Sequence, residues 1–149
     1  MKKIFFLIKI FFIYCFLISS GISKESGYLK RGKELFNKKE FDKSKIFFER
    51  DLVFDPKSEM SYLYLAKIFE KKENDIEQET NLKNVLIINP QNDEAIYMLT
   101  LLKIKQSDYN RAKELIEKFV LVCESFCDKK NEIQEKFKKL APEDAKNNN

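Results

Sequence analysis

Apolar residues recur every three or four positions between residues 25 and 124, with polar and charged residues between them. Tyr62, Leu65 and Phe69 form one such series, and Phe48 lies in another. In an α-helix, residues with this spacing lie along one face. Short polar stretches interrupt the series at residues 37–40, 73–75 and 107–108. The pattern therefore predicts a succession of amphipathic helices joined by short turns.

The helical pattern repeats with a period of 34 residues, which is the distance from Pro56 to Pro90. Units that begin 31 residues before each proline start at Glu25 and Glu59, and a third starts at Asp93. Unit position 4 then holds Tyr28, Tyr62 and Ile96, and unit position 7 holds Arg31, Leu65 and Leu99. Unit position 8 holds Gly32, Ala66 and Thr100, and unit position 11 holds Leu35, Phe69 and Lys103. In the second half of each unit, position 20 holds Ser44, Gln78 and Ala112. Position 24 holds Phe48, Leu82 and Ile116, and position 27 holds Asp51, Val85 and Phe119.

This arrangement resembles the tetratricopeptide repeat, a helical hairpin of 34 residues. A small residue at unit position 8 lets the two helices of a hairpin approach closely, and a proline ends the second helix. The resemblance implies an all-α, helical-hairpin solenoid with units at residues 25–58, 59–92 and 93–124. The third unit is weaker, because Thr100 is not small, Lys103 is not apolar and Glu124 replaces the proline. An ordinary helical bundle is the alternative.

The last apolar face of a solenoid must be covered. Residues 128–140 place Ile133, Phe137 and Leu140 on one helical stripe among lysines, which predicts a capping helix. Residues 141–149 are polar, and we expect a disordered tail. Within the second unit, Asp75 and Gln78 have the spacing of a capping box at the start of a helix.

Residues 1 to 23 have the layout of an export signal, with Lys2 and Lys3 before an apolar run from Ile4 to Ile18 and small residues after it. The run is interrupted by Lys9, and a spanning helix needs about 20 apolar residues. A cleaved signal is therefore the main prediction. An uncleaved anchor over residues 4–22 is the first alternative, and lipidation of Cys15 is the second. We expect an exported protein of the periplasm or cell envelope, or else one that is secreted or anchored in the inner membrane.

The net charge of +4 does not predict nucleic-acid binding. Three of the 28 basic residues lie in the first 23 positions, which leaves 25 basic against 24 acidic residues, interspersed along the rest of the chain. There is no His, so imidazole acid–base chemistry is excluded. No glycine-rich phosphate loop or paired catalytic carboxylate stands out either. We therefore predict no enzyme activity, no metal and no cofactor.

Cys123 and Cys127 are the cysteines that remain after signal cleavage. In an exported chain, a pair of this kind suggests a disulfide. Spacing of four residues is awkward inside a regular helix, but the pair falls where the helix should end. A small bridge that fixes this turn and two buried reduced thiols both remain open. A redox or metal role is a weaker alternative, because the spacing is not that of thiol oxidoreductases.

Function is expected to reside in a surface, since the resembled family holds peptides in a groove lined by its first helices. The residues implied here are Leu29, Lys33, Met60, Leu63, Tyr64, Lys67, Tyr97, Leu101 and Lys105. They favour an apolar helix or strand with acidic flanks, although several of them would pack between units instead. The leading hypothesis is an adaptor for a protein or peptide partner. The alternative is a structural accessory subunit of an envelope complex, similar to the repeat lipoproteins of outer-membrane assembly, that uses its convex or end surfaces.

Overall fold

The computed structural model describes residues 25–143, so the predicted signal at residues 1 to 23 lies outside the described part. The helices, numbered along the chain, are α1 (Gly27–Asn37), α2 (Phe41–Phe54), α3 (Glu59–Lys71), α4 (Asp75–Ile88), α5 (Asp93–Lys105), α6 (Tyr109–Val122) and α7 (Lys130–Leu140). A 3-10 turn at Cys127–Lys129 precedes α7. Residues 25–143 contain no β-strand.

Consecutive helices pack as hairpins: α1 against α2, α3 against α4 and α5 against α6. Each hairpin then packs on the next, and α7 packs on both helices of the last hairpin. The predicted all-α, helical-hairpin solenoid with a terminal helix is therefore confirmed. The helix α7 takes the place that the first helix of a further unit would occupy.

The three hairpin turns have the same backbone geometry. Their left-handed residues are Lys39, Glu73 and Ser107, with φ of 60°, 55° and 60°, each at unit position 15. The next amide in each turn, that of Glu40, Asn74 or Asp108, donates to a carbonyl five residues back at 3.0, 3.0 and 2.9 Å. This bond is typical of the Schellman motif, which satisfies the free carbonyls at a helix end. The 34-residue period is thus present in the backbone as well as in the side chains.

Close helix approach at unit position 8 is visible in the first hairpin. A methyl group added to Gly32 would lie 2.6 Å from a ring carbon of the buried Phe48. The Ser44 hydroxyl donates to the Gly32 carbonyl at 2.9 Å across the same contact. In the third unit the larger Thr100 is fully buried, and its hydroxyl donates to the Ile96 carbonyl at 2.7 Å. Thr100 is tolerated because its polar atom is satisfied within its own helix.

Asn74, and not the predicted Asp75–Gln78 pair, caps the start of α4. Its side chain accepts the amide proton of Glu77 at 3.1 Å. Gln78 is buried, with 4% of its surface exposed. The capping-box prediction is wrong because the helix begins at Asp75 itself, one residue earlier than the pattern suggested, so Asn74 occupies the cap position. Asn92 and Asp108 cap α5 and α6 in the same way.

Neighbouring units meet through the same two unit positions, 11 and 21, with different chemistry at each junction. Between the first and second units, the Lys45 ammonium lies 5.9 Å from the centre of the Phe69 ring. Between the second and third units, the buried Lys103 forms an ion pair with Glu79 at 2.8 Å. The lysine at unit position 11, an exception in an apolar series, is thus paired inside the protein.

A buried carboxylate links the first three helices. Asp51 of α2 accepts hydrogen bonds from the hydroxyls of Ser26, Ser58 and Ser61, the last two at 2.6 Å. Burial alone would raise the pKa of Asp51, but the three hydroxyl bonds outweigh it and hold that pKa below its ordinary value. This polar link supplements a small apolar cluster around Phe48, Leu65 and Ile68. The main core runs from the second unit to α7.

The first residue of each later unit ties down the segment that closes that unit. Glu59 accepts hydrogen bonds from the side chains of Asn89 and Asn92 at 2.9 and 2.5 Å. One carboxylate oxygen of Asp93 accepts the amide protons of residues 124, 125 and 126 at 2.8, 2.7 and 2.9 Å. Asp93 therefore fixes the end of the third unit, as Pro56 and Pro90 were expected to end the first two units.

The terminal helix departs in two details from the expected cap and tail. Ile133 and Phe137 are buried as predicted, but Leu140 is half exposed, because it turns away from the core at the end of α7. Ala141, placed in the disordered tail by its polar neighbours, is buried in the main core. Residues 144–149 lie outside the described part.

Candidate functional site

The residues implied to line a groove lie on α1, α3 and α5, which we call the first-helix face. The structure contradicts one of them: Leu63 is only 2% exposed and packs in the main core with the second helix of its own hairpin. A side chain in that position contacts no ligand. The others keep some exposure: Met60 and Lys105 are exposed, and the partly buried residues are Leu29, Lys33, Tyr64, Lys67, Tyr97 and Leu101.

Tyr64 forms an aromatic centre on the first two units. Its ring stacks on Phe48 at 4.9 Å and meets Phe36 edge to face at 5.0 Å. The ammonium groups of Lys33 and Lys67 lie 5.9 and 5.0 Å from the ring centre. Cations at this distance are attracted to the ring face. The structure therefore brings Tyr64 and the two lysines together, as the unit positions implied.

The three lysines of the predicted groove all have carboxylate partners within the chain. Lys33 pairs with Glu25 at 2.8 Å, and Lys67 pairs with Glu94 at 2.7 Å. Lys105 pairs with Asp75 at 2.7 Å, and this hydrogen bond raises the pKa of Lys105. An acidic ligand must displace or share these partners, which makes the lysines less available than the sequence suggested.

Tyr97 is covered by the terminal helix and the loop before it. Its hydroxyl donates to Glu132 of α7 at 2.7 Å, and its ring lies 5.9 Å from that of Phe126. Burial and the neighbouring Glu132 carboxylate raise the pKa of Tyr97 well above its ordinary value, so the phenol stays protonated. In the third unit, α7 thus occupies part of the first-helix face.

Leu101 and Lys105 line a cleft of about 390 Å³ at the carboxyl ends of α3, α5 and α7. Leu140 adds an apolar wall, and Glu70 and Lys136 add charges of both signs. We call this the first-helix cleft. Lys136 and Leu140 were not among the predicted site residues. In a further unit that starts at Cys127 they would lie at unit positions 10 and 14, which are not the positions from which the groove residues were taken, so the repeat pattern does not reveal them.

Cys123 and Cys127 form a disulfide at the end of α6. Cys127 is exposed and Cys123 only partly buried, so the alternative of two buried thiols does not hold. The bridge spans the loop whose amides are held by Asp93. It joins the third unit to α7 and lies apart from the residues that line the first-helix cleft.

Among residues 25–143, no group of three or more cysteine and acidic side chains is arranged to hold a metal ion. Within the same range, no helix is long and apolar enough to cross a membrane. No protein-family model matches the chain, and no curated protein is significantly similar to it in sequence.

Proposed function

We propose that the chain is an exported adaptor of the tetratricopeptide type, which binds a protein or peptide partner on its first-helix face and catalyses no reaction. The observation that carries the proposal is the first-helix cleft, because apolar walls and charged residues converge there. Clefts with apolar walls and a few placed polar groups are the usual form of a binding site.

The chemistry of the cleft favours a partner segment with an apolar face and an acidic flank. Leu101 and Leu140 offer apolar contact, and Lys105 and Lys136 offer positive charge at the rim. The side chain of Lys105 is 59% exposed, so an incoming carboxylate reaches it and shares it with Asp75. Specificity would come from the position of the acidic group relative to the apolar face.

Export is supported by two separate features. Residues 1 to 23 have the sequence layout of a signal. The disulfide between Cys123 and Cys127 is a bond that persists in oxidising compartments such as the periplasm. We therefore propose the cell envelope as the location, with the leader either cleaved or kept as an inner-membrane anchor.

A structural accessory subunit is the second candidate. It is favoured by the internal partners of the first-helix face, since Lys33, Lys67 and Tyr97 already bind carboxylates of the same chain. A subunit of this kind would use its convex or end surfaces and would bind no exchangeable peptide.

Two exposed lysines allow a matched test of these candidates. Lys105 on the first-helix face and Lys83 on α4 are 59% and 61% exposed, and each pairs with one carboxylate. A photo-crosslinking amino acid is placed at either position in cells. We expect an adduct with a partner from position 105 only, and we expect Leu101→Glu to abolish it. Adducts from position 83 alone would refute the adaptor proposal and support the accessory subunit.

A further inference from the structure

Each second helix exposes a large aliphatic side chain at unit position 29. These residues are Val53, Ile87 and Leu121, which are 76%, 77% and 84% exposed. Exposed aliphatic residues that stand singly are common on protein surfaces. Recurrence at the same position of three successive units is different, because the solenoid places the three residues in one row.

Two clefts border Ile87, the middle residue of this row. Ile87 lines a cleft with Pro56 and Lys57 on one side of α4. On the other side of α4 it lines a cleft with Leu115 and Lys118. We call the row, with the adjoining exposed Phe54, the second-helix edge. It lies at the carboxyl ends of α2, α4 and α6.

A cation lies within one helical turn of each aliphatic residue of the edge. Arg50 precedes Val53 by three positions, Lys83 precedes Ile87 by four, and Lys118 precedes Leu121 by three. Residues three or four apart on a helix lie on the same face. Each second helix therefore has an aliphatic side chain near its end and a cation one turn further back, and on α2 and α6 a carboxylate, Glu49 or Glu117, lies beside that cation.

The first residues of the described part contact helix α2 beside this edge. Tyr28 stacks on Phe54 with ring centres 5.4 Å apart, and Ser26 binds Asp51. Residues 4–22 are apolar in sequence apart from Lys9 and a Ser-Ser-Gly stretch. Four residues, 23 to 26, separate that segment from α1, and a chain of that length spans at most about 14 Å. A membrane that holds residues 4–22 is thus within reach of the second-helix edge.

We propose that the second-helix edge lies on the lipid surface of the membrane in which residues 4–22 are anchored. Aliphatic side chains that enter the boundary between headgroups and acyl chains, with cations kept among the headgroups, are the known chemistry of interfacial helices. Val53, Phe54, Ile87 and Leu121 supply the first component, and Arg50, Lys83 and Lys118 supply the second. The inference rests on the anchored form of the chain and is independent of the first-helix cleft.

The chain contains no tryptophan, so one introduced residue reports alone on its surroundings. Ile87 and Ile76 form a matched pair, since both lie on α4 and are 77% and 78% exposed. Ile76 lies at the opposite end of the helix, about 16 Å further along its axis. Its unit position holds Asp42 and Asn110 in the other units, so it belongs to no row.

The test uses full-length Ile87→Trp and Ile76→Trp proteins, with intact mass confirmed, in vesicles of phosphatidylcholine and phosphatidylglycerol. We expect the emission of Ile87→Trp to shift to shorter wavelength, and nitroxide-labelled lipids to quench it about twofold more than that of Ile76→Trp. Adding Leu121→Asp and Val53→Asp to Ile87→Trp should reduce this quenching, while circular dichroism shows the helices intact.

Equal quenching at both positions, or quenching at neither while both proteins stay with the vesicles, would overturn the proposal. A shift for Ile87→Trp that depends on protein concentration and not on lipid would also overturn it, because a second copy of the chain would then cover the edge. Each of these results leaves the crosslinking test of the first-helix face unaffected.

Discussion

Gly32 leaves no room for a side chain, because an added methyl group would lie 2.6 Å from the Phe48 ring. We predict that Gly32→Ala lowers the free energy of unfolding by about 2 kcal/mol through overpacking. The control is Gly27→Ala at the start of α1, where nothing lies within 4 Å of the added methyl. Urea denaturation should show no loss of stability for this control. Equal stability of the two variants would mean that the hairpin contact is not close.

The left-handed turn residue Lys39 pays a conformational cost that glycine would avoid. We predict that Lys39→Gly raises the free energy of unfolding by about 0.5–1 kcal/mol, since an L-residue at positive φ is strained. The neighbouring Lys38 has φ of −81°, so Lys38→Gly should lower stability instead. Thermal melts of the two variants should shift in opposite directions, and shifts in the same direction would contradict the assigned turn geometry.

At this scale, residue type and unit position together predicted the close contact at Gly32 and assigned Tyr64, Lys33 and Lys67 to one face. They did not predict that Leu63 is buried. Leu63 and Tyr64 are adjacent on α3, about 100° apart around the helix axis, and the sequence does not show which of the two faces the core. Residue type and unit position also did not predict the three hydroxyl donors of Asp51. The sequence does not show that the Asp51 carboxylate is buried, because the serines that bind it belong to other segments of the chain.

The junction between the second and third units depends on an ion pair that responds to acid. Lys103 and Lys83 bind the Glu79 carboxylate and lower its pKa to about 2. Since this pKa lies below the ordinary value of 4.5, the pair stabilises the fold fully above pH 4.5 and is lost between pH 4.5 and 2. We predict a loss of about 2 kcal/mol over this window, measured by urea denaturation at successive pH values.

The variant Glu79→Gln should flatten this acid dependence, because its amide does not titrate. Glu117→Gln is the control, since Glu117 is an exposed glutamate on α6. We expect the control to keep the full loss between pH 4.5 and 2. An acid profile of Glu79→Gln that matches the parent protein would assign the dependence to other carboxylates.

Helix order and hairpin pairing follow from the periodic sequence, whereas the role of α7 does not. The stripe of Ile133 and Phe137 predicts that α7 packs on the last hairpin. It does not reveal that Glu132 binds Tyr97 or that Lys136 and Leu140 border the first-helix cleft. Those contacts depend on where the loop after α6 directs the chain, and that loop is held by Asp93, 31 to 33 residues earlier.

The molecule as a whole has an uneven core, since the main cluster runs from the second unit to α7 and the first unit has a smaller one. In repeat proteins, stability is a sum of unit and junction contributions, so local opening begins where these are weakest. We predict that amides of α1 and α2 exchange with solvent about tenfold faster than those of α5 and α6. Hydrogen exchange followed by mass spectrometry measures this difference.

The Asp51 link gives the control for that measurement. Asp51→Asn weakens the acceptor shared by Ser26, Ser58 and Ser61, so exchange should accelerate in α1 to α3. It should leave α5 and α6 unchanged, because they belong to the other cluster. Acceleration throughout the chain would show that the molecule opens as a single unit.

The differing chemistry at unit positions 11 and 21 also fixes the sequence in which the hairpins stack. A folding chain with similar hairpins can dock the third onto the first and leave the second looped out. In that misassembled form the buried Lys103 would face Lys45 and lose its ion pair with Glu79, whereas Lys45 would keep its own partner Glu49. Lys103 thus favours assembly of the units in chain order, which two identical junctions would not do.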